Sequence, residues 1–267
     1  MSRLAVGASP VKSPAPAVLP AGDRPVGYFE ASAFPLTSLA FVVPLMVAYE
    51  YGTWRFASDP VSHVQQRIVA FNLMQQFFAL WGVSGQYMPA AAVASILTAW
   101  HFARNDPFAA RPTVLLGMAV ESVMYAVPLV ALGYVFQHYL PLYPTPPTAS
   151  AGSPRALLVL SIGAGVYEEL VFRLVAFNVL SFLLVDVLRW PKLAAIPAMV
   201  VTSAVAFSLY HYKPSGTEPF QWESFAFRTL AGVYFGVVFA SRGFGLTAGA
   251  HAGYDVAIVL LRAVAPA

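Results

Sequence analysis

The chain has 267 residues, 58% of them hydrophobic and only 10% charged, with a mean hydropathy of +0.66. Soluble domains carry about 25% charged residues, so this composition belongs to an integral membrane protein, and the length suits one polytopic bundle. A net charge of +3 is too small and too scattered for a nucleic-acid partner, and the absence of cysteine excludes disulfides, thiolate zinc sites and a cysteine nucleophile.

Residues 1–28 are rich in Pro, Ala and Ser, with Pro10, Pro14, Pro16, Pro20 and Pro25, and read as a disordered tail without a signal-peptide core. Residues 29–150 hold transmembrane and interfacial helices. The first span is expected at 34–49, short for a bilayer. Residues 64–81 carry Gln and Arg on one side and Phe, Leu and Trp on the other, which reads as a helix lying in the interface. Further spans are expected at 88–103, 113–138, 156–185, 193–212, 225–241 and 246–262, separated by Pro- and Gly-containing breaks. The fold class is therefore all-α: a transmembrane bundle of seven spans, or eight if 64–81 crosses, enclosing a polar cavity. Lys and Arg divide almost evenly between the two sides, so the positive-inside rule leaves orientation open. A multi-pass protein of the cell (plasma) membrane is the expected setting.

The chemistry concentrates in residues 151–267. Glu168, Glu169 and Arg173 interrupt an apolar run, where each charge at a helix centre costs about 2.5–3.5 kcal/mol on insertion scales. Glu169 and Arg173 stand four apart, acid before base, and can neutralise each other on one helical face. Glu168 lies about 100° round the helix and is left over. The small residues Gly163, Ala164 and Gly165 let a neighbouring helix approach closely. A purely structural ion pair would explain Glu169 and Arg173 but leave Glu168 idle. His211 follows Phe207 by four at the end of a later span, and His251 precedes Asp255 by four in the last one. Glu121 is a further intramembrane acid without a partner in its own helix. His63, His101 and His138 fall near expected helix ends, where an interfacial role suffices.

A carboxylate base, imidazoles and a second acid are the parts that water-activated peptide hydrolysis needs, with or without a metal. Depth is the difficulty. Glu168 lies about 18 Å into its helix and His251 about 8 Å in from the opposite side. Convergence requires the span before His211 to tilt, or His211 to lie well inside it.

Glu168-Glu169-x-x-x-Arg173, then Phe207-x-x-x-His211, then His251-x-x-x-Asp255, in this order on separate apolar segments, resembles the CPBP family. These are the CAAX-protease and bacteriocin-processing (Abi) intramembrane endopeptidases, and the resemblance covers residues 156–262. It implies a chamber within the membrane in which Glu168 activates water and His211 helps hold it. His251 and Asp255 would stabilise the oxyanion, with Glu169, Arg173 and Phe207 in support. It also implies a membrane-embedded peptide or lipidated, prenylated-type protein as substrate. Members of the family are described both as metalloproteases and as glutamate-dependent enzymes, so Glu168, His211 and His251 form a candidate set for a divalent metal such as zinc. The last motif ends in Asp255 where the prenyl-protease branch has Asn; an ionised Asp cannot donate to an oxyanion, so it must be protonated, orient His251 or ligate a metal. Two other readings stay open: an inactive scaffold that keeps the polar cluster to bind an apolar partner, and an ion-coupled transporter, for which the chain shows no internal repeat.

Overall fold

The computed structural model describes residues 26–59, 62, 64–139, 153–213, 216 and 218–264. The tail expected at 1–28 falls almost wholly outside these residues, as do His63 and most of the Pro141–Pro154 break. The elements in chain order are α1 (Tyr28–Ser32), α2 (Pro35–Phe56), α3 (Val69–Leu80), α4 (Met88–Arg104), α5 (Pro112–Tyr139), α6 (Pro154–Glu169), α7 (Ala176–Ser181), α8 (Lys192–Leu209), α9 (Trp222–Arg242) and α10 (Phe244–Val264). Two π-helical turns, Leu170–Val175 and Phe182–Val187, continue α6 and α7 into one long rod. Among the described residues there is no named strand.

Proline sets the helix starts. Pro35, Pro112 and Pro154 each occupy a first helical position, where the missing N–H is not needed and the fixed φ is already helical. Ser153 caps α6, its hydroxyl accepting from Ala156 N at 3.3 Å. α4 ends on Asn105 in the left-handed region at φ 54°. A single glycine, Gly243 at φ 82°, reverses the chain between α9 and α10.

Six helices are long and apolar enough to cross a membrane: α2, α5, the α6–α7 rod, α8, α9 and α10. Of the seven or eight spans expected, α4 has 17 residues and reaches about 25 Å, short of a ~30 Å hydrocarbon core. The segment at 64–81 is helical only over the 12 residues Val69–Leu80; the chain before it runs extended, with Gln66 N bonded to Ala57 O.

α10 is the central element. Its first half, Phe244 to Ala252, is buried throughout and packs against α2, α5 and α6. Small residues make this packing close. A Cβ on Gly165 would stand 2.5 Å from Ala252 N and 2.6 Å from Ala248 O, and one on Gly249 would meet Phe41 and Ser122. Backbone thus approaches backbone where α6 crosses α10, the arrangement that small residues permit in membrane bundles.

Glu121 finds its partner across the bundle. Arg242, at the α9–α10 corner, binds it twice, Nε to Oε1 at 2.7 Å and Nη2 to Oε2 at 2.8 Å. Tyr28 donates to the same carboxylate at 2.5 Å, and Arg242 also reaches Phe29 O and Ser32 Oγ. Burial and then the Glu121 carboxylate hold the Tyr28 phenol up at about 12, so it remains a donor. This clasp ties α1, α5 and α9 together and draws the corner inward. His251 follows about two turns into α10, within its buried first half.

Candidate active site

Two cross-links set the level at which the helices meet. Arg173 Nη2 donates to Gly232 O on α9 at 3.1 Å, and Ser203 Oγ on α8 donates to Phe172 O at 2.5 Å. Both involve the π-helical turn directly after Glu168 and Glu169. Such turns loosen the i→i−4 ladder and release carbonyls, and they occur often at functional sites.

Arg173 is fully buried and its nearest acid is Glu169, Nη1 to Oε1 at 3.0 Å. The guanidinium also lies 4.6 Å from the Phe207 ring centroid and 5.6 Å from that of Phe235, contacts that favour a desolvated cation. Glu169 Oε1 faces His251 Nδ1 as well, at 2.7 Å. The His251 ring stacks on Phe235 with centroids 4.6 Å apart. Its orientation is therefore fixed by Glu169 on one edge and an aromatic face below.

The other edge of His251 faces the remaining acids. Nε2 lies 3.8 Å from Glu168 Oε2 and 3.5 Å from Asp255 Oδ2. Glu168 is 6% exposed, and its Oε1 accepts a short hydrogen bond from the Tyr210 hydroxyl. The structure thus brings together Glu168, Glu169, Arg173, His251 and Asp255, with Phe207 packed edge-on against His251 at 5.8 Å.

His211 sits just beyond α8, beside this group. Its ring meets Tyr210 at 4.3 Å and Phe207 at 5.1 Å between centroids. α8 stops at Leu209 and the chain turns there against the protein: Tyr210 and Tyr212 are both buried. The loop is held by Gly216 N to Tyr212 O at 2.8 Å and Glu218 N to His211 O at 3.3 Å.

His211 Nδ1 lies 2.8 Å from Phe207 O. A carbonyl only accepts, so Nδ1 carries the proton and Nε2 is left as an acceptor. Burial, reinforced by the Arg228 cation, pushes the His211 pKa down from 6.5 to about 3. Both influences favour the neutral imidazole. The Tyr210 phenol is held well above its ordinary value by burial and then by the Glu168 carboxylate, so it too stays a donor.

The His211 shift has a stability consequence. With the folded pKa below the unfolded one, the unfolded chain takes up the proton first as pH falls. The contribution is complete above about 6.5 and drains away as pH drops toward 3. Thermal unfolding between pH 7 and 4 should show this slope, and His211→Asn, which keeps a donor toward Phe207 O, should flatten it.

Sequence reasoning missed Tyr210 and the role of Glu169 as the partner of His251 Nδ1. Tyrosine near the end of an apolar helix carries no signal of its own; its place one residue before His211 was the available hint. Among the described residues no three His, Asp or Glu side chains stand close enough together to hold a metal, although Nδ1 of His251 and of His211 is held by Glu169 and Phe207 O and leaves Nε2 of each ring toward the cluster.

An apolar cavity of about 600 Å³ begins one residue beyond Glu169, lined by Leu170, Val171, Leu73, Met74, Phe78 and Met88 among others. It lies between the π-helical turn, α3 and α4.

The six spans and the enclosed acid–imidazole cluster define a multi-pass integral membrane protein with a buried polar centre of the kind used in hydrolysis. Residues 150–257 match the family model described as type II CAAX prenyl endopeptidase, Rce1-like. The match supports the CPBP, or CAAX-protease, family, and the matched residues include every residue of the cluster. The family implies a CAAX-type intramembrane peptidase acting on membrane-associated substrates. No curated protein and no solved structure matches the chain.

Proposed function

We propose that the protein is an intramembrane endopeptidase that hydrolyses a peptide bond of a lipid-anchored, prenylated-type substrate with water activated by Glu168. One observation carries the reading: Arg173 is committed to Glu169 at 3.0 Å, while Glu168, equally enclosed, is held only by a phenol and faces an imidazole. An acid kept clear of the arginine is available to take a proton.

Each residue then has a defined task. Glu168 removes a proton from water as its oxygen attacks the scissile carbonyl, and returns that proton to the leaving amine as the C–N bond breaks. Tyr210 fixes the carboxylate in one orientation. His211 Nε2 accepts the water's other hydrogen. His251, held by Glu169, presents Nε2 to the carbonyl oxygen as negative charge develops there. Asp255 lies against the same Nε2, which suits it to holding the imidazole's proton in place. The apolar cavity beside Leu170 accommodates the anchor of a lipidated substrate.

The reading is tested by reconstituting the protein in vesicles with a lipid-anchored peptide and identifying the products by mass spectrometry. Internal cleavage is expected; intact peptide after long incubation with correctly folded protein would contradict it. Tyr210→Phe should lower kcat by about 10–100-fold, the worth of a hydrogen bond to a charged group. An unchanged rate in that variant would remove Tyr210 from the mechanism.

A further inference from the structure

α3 forms one wall of the apolar cavity and lies outside the residues that match the family. Its only buried residues, Ala70 and Phe71, are in its first turn. There the Arg67 guanidinium lies 4.5 Å from the Phe71 ring centroid and 5.1 Å from that of Tyr49, while its Nη2 donates to Glu50 Oε2 at 2.8 Å. Phe71 meets Tyr167 edge-on at 5.1 Å, one residue before Glu168. The start of α3 is thus pinned to α2 and α6 by a cation set between two rings.

Among the described residues nothing comparable holds the far end. Leu80 and Trp81 are 83% and 73% exposed, and the chain then passes Gly82, at φ 73° with open space about its Cβ position. Between its ends α3 presents Leu73, Met74, Phe77 and Phe78 to the cavity rather than packing on the π-helical turn. α4, opposite, is fixed by buried Val93 and Leu97. The cavity floor, Leu170, is fully buried, whereas its rim takes one exposed apolar residue from each wall: Phe77 from α3, Ile96 from α4 and Val175 from the π-helical turn. Such a rim opens toward hydrocarbon rather than water.

We propose that α3 is a hinged wall, pivoting between the Arg67–Phe71 pin and Gly82, that parts from α4 to pass a substrate's lipid anchor sideways between the bilayer and the cavity. This rests on the hydrolase reading. Lipid tails replace the contacts that α3 gives up, so separating two apolar faces in hydrocarbon carries no hydrophobic penalty. The helix keeps its own backbone hydrogen bonds as it swings, and the Glu50–Arg67 pair stays closed at the pivot. A few loop residues absorb the change of angle, as in other hinged lids. Closure then holds the anchor against Leu170, two residues beyond Glu168.

The chain has no cysteine, so the wall can be locked at chosen positions. Phe77→Cys with Ile96→Cys puts one thiol on each side of the rim, and reducible bifunctional thiol reagents of short and long span join them. Binding of a fluorescent farnesylated peptide, whose own sulfur is a thioether and does not react, is followed in vesicles on this pair combined with Glu168→Gln, where no cleavage intervenes. The short reagent added before the peptide should abolish association; added after it, the same reagent should trap the peptide and abolish release. The long reagent should do neither, and reduction should restore both rates in the same sample. Association and release unchanged under the short lock would overturn the proposal. So would expulsion of bound peptide by the short reagent, because a rigid mouth narrowed by the reagent loses what a closed wall retains. If the lock traps peptide but the unlocked protein with Glu168 intact cuts none, the hinged wall stands and the hydrolase reading fails. If that protein cuts the peptide equally fast locked and unlocked, the reverse holds.

Discussion

Glu168→Gln should abolish turnover, lowering kcat by at least the ~10²–10⁴-fold that a general base contributes, while the protein still folds and binds peptide. The amide is nearly isosteric and its oxygen can still accept from Tyr210, so packing in this buried position is preserved. It cannot take a proton from water. Because the loss falls on the chemical step rather than on uniform binding, it should appear in kcat with little change in KM. The check is a rate measurement beside a thermal unfolding curve of the same preparation. A folded Glu168→Gln protein with full activity would remove the proposed base.

Glu169→Gln should act differently, chiefly on stability. Arg173 and Glu169 are both without exposure, and leaving one member of a buried pair uncompensated costs about 3–5 kcal/mol. The same change removes the carboxylate that holds His251 Nδ1 at 2.7 Å, so activity falls as well. The double variant Glu169→Gln with Arg173→Met separates the two effects. Methionine between Phe207 and Phe235 restores an apolar contact where the guanidinium lay, and replacing a buried pair by apolar residues is often neutral. Thermal stability should recover while cleavage stays low, because the amide at 169 can accept from His251 Nδ1 but no longer supplies the negative charge that supports the imidazole. Recovery of both would mean that Glu169 serves only Arg173.

How much of this was legible in the sequence depended on the range of each interaction. The Glu169–Arg173 pair and the His251–Asp255 contact follow from i,i+4 spacing on a helix. The close approach of α6 and α10 follows from their small residues. Long-range pairings left no such trace. Glu121 meets Arg242 across 121 positions, and His251 meets Glu169 across 82; neither partner can be chosen from spacing alone. Asp255 was the natural candidate to orient His251, yet Nδ1 went to Glu169, because α10 crosses α6 closely enough at Gly165 for that acid to reach. The depths expected for His211 and His251 took every helix end as a membrane boundary, whereas Arg242 at one corner and Tyr210 and Tyr212 beyond α8 are buried. The π-helical turn after Glu169 was likewise invisible, since the Phe172 carbonyl within it accepts from Ser203 on a separate helix.

The most direct test of the central claim is an experimental structure of the Glu168→Gln protein with an uncleaved lipid-anchored peptide. The account places the scissile carbonyl carbon about 3–3.5 Å from a water held by residue 168, its oxygen toward His251 Nε2, with Arg173 still paired to Glu169. A peptide bound with its scissile bond remote from residue 168 and His251, or a side chain at 168 turned out toward lipid, would contradict it.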